Sequence, residues 1–88
     1  MYVIAMYDVD SKRCAKMLKL CRRYLHWIQN SVFEGEISET DLKKLILAAE
    51  TIMDKQSEDS FILFKNRSQN WLDKQVIGHE RAEINQFL

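Results

Sequence analysis

Residues 2–25 read Tyr-Val-Ile-Ala-Met-Tyr-Asp-Val-Asp-Ser-Lys-Arg-Cys-Ala-Lys-Met-Leu-Lys-Leu-Cys-Arg-Arg-Tyr-Leu, and their apolar period changes partway along. Over 2–9 the run is apolar at nearly every position and rich in strand formers, which predicts a central strand buried on both faces. Asp10 or Ser11 then offers an N-cap for a helix of about 12–25. Cys14, Met17, Leu18, Cys21 and Leu25 follow the helical repeat, and Lys12, Lys16, Lys19 and Arg23 line the opposite face. A strand feeding an amphipathic helix is the first half of an α+β layer.

Working outward, residues 26–33 have strand composition. A period of two puts Trp27, Gln29, Ser31 and Phe33 on one face and Ile28 and Val32 on the other. Glu34-Gly35-Glu36 continues, bends or bulges that strand, and the pattern leaves one bent strand and two short ones both open. Ser38 with Asp41 resembles a capping box for a second helix, whose stripe is Leu42, Leu45, Ile46, Ala49, Ile52 and Met53 and whose end falls near 54–56. Residues 60–66 and 71–77 read as two strands joined by a turn at 67–70. The predicted order is strand, helix, strand, helix, strand, strand, with a tail. Two helices would cover one face of a four-stranded antiparallel sheet. The other face, with Trp27, Phe33 and Trp71 available, would pair with a second copy, and the tail would add a strand to the partner's sheet edge.

The 88 residues make one domain, with 47% apolar and 30% charged residues. A core of this size is marginal alone, and a dimer would bury more apolar surface. The 13 basic and 13 acidic side chains cancel, so net charge gives no argument for a nucleic-acid partner. Their distribution does: residues 1–30 hold six basic and two acidic residues, and residues 34–59 hold eight acidic and three basic ones. No apolar run is long enough for a membrane span, and no secretory signal pattern is visible, so no membrane partner is expected. Cys14 and Cys21 lie two helical turns apart, about 10 Å, too far for a disulfide. Reduced thiols and a cytoplasmic location are expected.

Two segments carry a family pattern: the apolar strand ending in Tyr7-Asp8 before a basic helix, and the run Ile28-Gln29-Asn30-Ser31-Val32-Phe33-Glu34-Gly35-Glu36. Together with length and element order, they make nearly the whole chain resemble the Cas-two proteins of CRISPR systems. The resemblance implies a ferredoxin-like domain over 1–78, a C-terminal tail over 79–88, and a homodimer with paired sheet faces. It further implies a divalent metal, usually magnesium, held between two chains by the strand-end aspartate. It also implies a place in spacer acquisition beside a Cas-one integrase, and metal-dependent endonuclease activity on RNA or DNA.

Read from the residues alone, Asp8 ends the strand or caps the helix; the resemblance makes it the metal ligand and catalytic residue. Magnesium takes hard oxygen donors, often one or two carboxylates with water, and a twofold axis would supply Asp8 twice. Asp10 reads as the helix cap, and Tyr7 as a packing residue on the opposite face from Asp8. Lys12, Arg13, Lys16, Lys19 and Arg23 are the candidate nucleic-acid contacts, with Arg13 and Lys16 matching the family's basic positions best. Gln29, Ser31 and Phe33 match the second motif and would support the site. Ser31 has no histidine–aspartate partners, which excludes a serine nucleophile. Trp27 stands where many members carry arginine; an indole stacks or packs and cannot neutralise a phosphate. Three functions therefore compete: a metal-dependent endoribonuclease or endonuclease, a non-catalytic scaffold for nucleic acid and integrase, and a toxin-like ribonuclease on the same fold.

Overall fold

The computed structural model describes residues 1–81, Trp71 by its backbone alone. Strand β1 (Tyr2–Asp8) leads into helix α1 (Ser11–Tyr24). Strands β2 (His26–Gln29) and β3 (Val32–Glu36) precede helix α2 (Glu39–Ile52), and strand β4 (Ser60–Asn66) follows it. The strands form one antiparallel sheet in the order β2-β3-β1-β4. Two helices on one face of this sheet are the expected ferredoxin-like α+β sandwich.

The helix starts follow from local chemistry. Asp10 accepts a hydrogen bond from the Lys12 N–H and caps α1, and Ser38 Oγ accepts from the Asp41 N–H at 3.1 Å and caps α2. Between helices and sheet lie Val3, Ala5 and Tyr7 of β1, Phe33 of β3, Met17, Leu20 and Cys21 of α1, and Leu42, Leu45 and Ala49 of α2. Tyr7 stacks on Phe33 with ring centroids 6.2 Å apart.

Residues 26–36 form two strands, and the period-two reading of faces fails within them for two local reasons. Between the pairs Trp27–Phe33 and Gln29–Val32 the register slips, leaving Ile28 as a bulge. Asn30 then takes a left-handed conformation (φ 47°), which asparagine tolerates better than most residues, and the chain turns back. The indole of Trp27 donates to the Asn30 carbonyl at 2.8 Å across this turn. Trp27 and Phe33 therefore face the helices, and Gln29 does not share their face. The expectation that Trp27 and Phe33 line the open sheet face is corrected: Phe33 is buried in the core and Trp27 packs against it. Gly35 sits in regular pairing opposite Val3, so of the readings left open for Glu34-Gly35-Glu36 the stretch continues the strand.

The expected strand over 71–77 is also absent. A 3-10 helix, Gln69–Trp71, turns the chain, and 72–77 has no regular structure. Instead of pairing along β4, this segment lies over the open face. Leu72, Asp73, Lys74 and Gln75 border a cleft with Tyr2, Ile4, Ile28 and Glu34. Lys74 forms ion pairs with Glu34 and, at 2.6 Å, with Glu80. The Tyr2 hydroxyl also donates to Glu34. The polar anchor on Glu34 holds the segment across the sheet rather than beside it. Most of the tail expected over 79–88 lies outside the described residues.

Leu45→Ala removes a buried side chain at the sheet–helix seam and should cost about 2–5 kcal/mol. Leu47→Ala, on the outer face of α2 and 64% exposed, should change stability by less than about 0.5 kcal/mol. Urea unfolding at fixed protein concentration checks both.

Candidate nucleic-acid and metal site

Asp8 is the last residue of β1 and is exposed beyond the sheet, opposite Ser60 of β4. Because β1 and β4 are antiparallel, the end of one lies beside the start of the other. The α2–β4 loop therefore meets the β1–α1 loop here. Asp8, Val9, Asp10, Ser57, Glu58 and Asp59 line an open cleft of about 360 Å³. The β2–β3 turn closes on the same end of the sheet, where the Tyr7 N–H donates to the Ser31 carbonyl at 3.3 Å.

One ion pair ties the two loops. Arg13 Nε donates to Asp59 Oδ2 at 2.6 Å and Arg13 Nη2 donates to Oδ1 at 3.0 Å, the forked geometry that matches guanidinium to carboxylate. Nη2 also donates to Ser57 Oγ at 3.2 Å. The backbone N–H groups of Asp10 and Asp54 each donate to Asp59 at 3.0 Å. The Arg13 guanidinium, with these backbone donors, holds the Asp59 carboxyl well below the usual carboxylate range. The same pairing raises the Arg13 pKa further, so it stays charged.

The predicted site residues fall into three groups, with Gln29 apart from them. Asp8, Asp10 and Arg13 meet at the end of β1, with Ser31 and the start of α1 alongside. Lys12, Lys16, Lys19 and Arg23 are exposed on α1, and the repeat places them on one stripe about 16 Å long. Tyr7 and Phe33 are buried packing partners beneath the site. Gln29 is exposed at the end of β2. Cys14 and Cys21 are free thiols, and burial pushes the Cys21 thiol up to about 12, which leaves it inert. Asp59 and Ser57 escaped the sequence reading. The signal that could have found them is topological: an acidic residue just before the strand that pairs with the end of β1.

The Asp8 carboxylate is a hard oxygen donor of the kind magnesium takes. Among the described residues no three His, Cys, Asp or Glu side chains of one chain converge as a metal site. Asp8 is one hard carboxylate with room around it, and Asp59 has its oxygens taken. One aspartate and water from each of two chains is within magnesium's habits.

Comparisons with known proteins place the chain in a family. Residues 1–74 match the family model of CRISPR associated protein Cas2. A CRISPR-associated endoribonuclease Cas2 of Thermotoga maritima is 45% identical over 94% of both chains. The protein of that name from Dictyoglomus turgidum is 42% identical over the full length of both. One solved Cas2 crystal structure superposes with a TM-score of 0.84 at 38% identity, covering 92% of this chain and 90% of its own. Streptococcus pyogenes Cas2 does so with a TM-score of 0.71 at 26% identity, covering 86% and 100%. The chain belongs to the CRISPR-associated Cas2 family. Among the described residues no helix is long and apolar enough to cross a membrane.

The depressed Asp59 pKa makes a pH prediction. A carboxylate held below its unfolded value stabilises the fold above that value and loses the contribution as pH falls. The melting temperature should therefore drop as the pH is lowered below about 4, the ordinary aspartate range. Asp59→Asn should melt lower at neutral pH and show a shallower decline on acidification. Thermal melts from pH 7 to pH 2 check this.

Proposed function

We propose that this chain is a magnesium-dependent endonuclease of CRISPR spacer acquisition that acts as a homodimer on RNA or DNA phosphodiester bonds. The observation that carries the reading is the exposed Asp8 carboxylate at the end of β1, next to the start of the basic stripe on α1. In the dimer, Asp8 and its counterpart would hold the metal, which supplies polarisation of a phosphoryl oxygen and an activated water. Lys12, Lys16, Lys19 and Arg23 would receive the nucleic-acid backbone as point charges and forked donors. The relatives named endoribonucleases support RNA as the first substrate to try. On the open sheet face Ile62 and Phe64 are 48% and 57% exposed, an apolar pair that supports a second copy there. Two free cysteines fit a reducing, cytoplasmic setting.

A second reading is a non-catalytic scaffold that holds nucleic acid and a Cas-one integrase. Its support is that among the described residues no three His, Cys, Asp or Glu side chains converge as a metal site, with Trp27 packed against the core rather than set to replace a phosphate contact.

Asp8→Ala separates the two. For the nuclease, magnesium-dependent cleavage of single-stranded RNA should fall by more than the roughly 10- to 100-fold that loss of an outer-shell partner costs, with the dimer intact by light scattering. For the scaffold, the variant should leave integrase binding and spacer integration at wild-type levels. Four phosphate contacts along α1 would give a slope of about −3 in log affinity against log salt for single strands. Removing Lys16 should flatten it.

A further inference from the structure

We propose that Arg13 is a positioning residue that fixes the metal-binding end of β1 through Asp59, rather than a nucleic-acid contact. This inference rests on the reading of Asp8 as the metal ligand.

An ionised carboxylate has about four lone-pair sites. Asp59 fills them with Arg13 Nε, Arg13 Nη2 and the backbone N–H groups of Asp10 and Asp54. Its side chain is 3% exposed and that of Arg13 12%, whereas Lys12, Lys16 and Lys19 stand in solvent. Both Nη2 hydrogens and the Nε hydrogen of Arg13 are committed to Asp59 and Ser57. A phosphate could take this forked edge only by breaking the pair and leaving the Asp59 charge unpaired in a shielded place, which is costly; without that it meets only the two Nη1 hydrogens of a side chain that is 12% exposed.

What the clamp fixes is the approach to Asp8. Asp10 is gripped from two sides: its backbone N–H is held by Asp59, and its carbonyl and carboxylate cap the start of α1 through the Arg13 and Lys12 N–H groups. With Asp10 hydrogen-bonded on both sides and β1 paired to β4 through Asp8, Val9 is the single residue between Asp8 and a fixed point. The far loop is braced equally: Ser57 Oγ donates to the Asp54 carbonyl at 2.8 Å and accepts from the Asp59 N–H at 3.2 Å. Asp59 is thus a cross-tie between the β1–α1 and α2–β4 loops, and Arg13 is the charge that keeps it ionised and oriented.

The test uses the purified full chain and a single-stranded RNA, with binding measured in EDTA and cleavage in magnesium. Arg13→Ala, Arg13→Lys and Asp59→Asn should each lower the cleavage rate by about 10- to 100-fold, the usual cost of losing a partner that orients a metal ligand. The Arg13→Ala/Asp59→Asn double variant should be no slower than the worse single one. RNA affinity and its salt slope should stay within twofold of wild type in all of them, while Lys16→Ala weakens binding and flattens the slope. In Arg13→Ala, hydrogen exchange should speed up at the Asp10 and Asp54 amides and stay slow at Val3 and Ala5, which keeps a folding defect distinct. Full cleavage by Arg13→Lys would overturn the proposal, because lysine keeps the charge and loses only the fork. So would an Arg13→Ala protein that loses RNA affinity and salt slope while Asp59→Asn keeps both. If Asp8→Ala cleaves like wild type, the metal reading of Asp8 fails, and with it the role of Arg13 in cleavage. The binding and exchange results still decide whether Arg13 meets phosphate.

Discussion

Strand β1 must be apolar on both faces, and the rest of the molecule is arranged around meeting that demand. Val3, Ala5 and Tyr7 face the helices and are buried there, while Ile4 and Met6 face the other way, between β3 and β4. A strand of this kind needs neighbours on both edges and a cover on at least one face. The β2–β3 hairpin and α1 supply them from one side of the chain, α2 and β4 from the other. β3 pairs with β1 as far as Met6 and β4 pairs with it through Asp8, so its last residue is held in place by one neighbouring strand. Asp8 is therefore an exposed carboxylate on a rigid mount, which is what a site needs if its reactive atoms are to be held to within a fraction of an ångström.

The second face is met less completely. The segment after β4 crosses it and is fastened by Lys74 to Glu34, so Tyr2, Ile4 and Ile28 gain a border. Ile62 and Phe64 keep much of their surface in solvent. A chain of 88 residues that leaves two large apolar side chains open on its sheet has a reason to associate, and the same association would bring two copies of Asp8 into one account of the chemistry.

What could be read in the sequence was whatever depends on near neighbours. Asp10 and Ser38 announced themselves as caps because a cap is a contact two or three residues long. The two apolar stripes gave the helices within a residue or so at each start, and alternation along β1 put Tyr7 and Asp8 on opposite faces. The reading failed where one residue breaks a period. The bulge at Ile28 moves Gln29 onto the face of Val32, away from that of Trp27 and Phe33, and composition alone shows neither it nor the left-handed Asn30. Residues 71–77 misled for a different reason. Val76 and Ile77 have strand composition, but the position of the segment is set by the charge of Glu34, forty residues away from Lys74. Arg13 is the same case at the site: on its helix it looks like any other basic residue, and only the pairing of β1 with β4 brings Asp59, 46 positions on, beneath it.

The account stands or falls on Asp8 as the place where a divalent ion enters. Manganese, a paramagnetic substitute for magnesium, broadens the amide resonances nearest to where it binds. Titrated into the isotopically labelled protein, it should first broaden residues 7–10 together with 59 and 60, and this should vanish in Asp8→Ala. Broadening centred instead on the acidic stretch from Glu34 to Asp41, or an unchanged pattern in the variant, would contradict it.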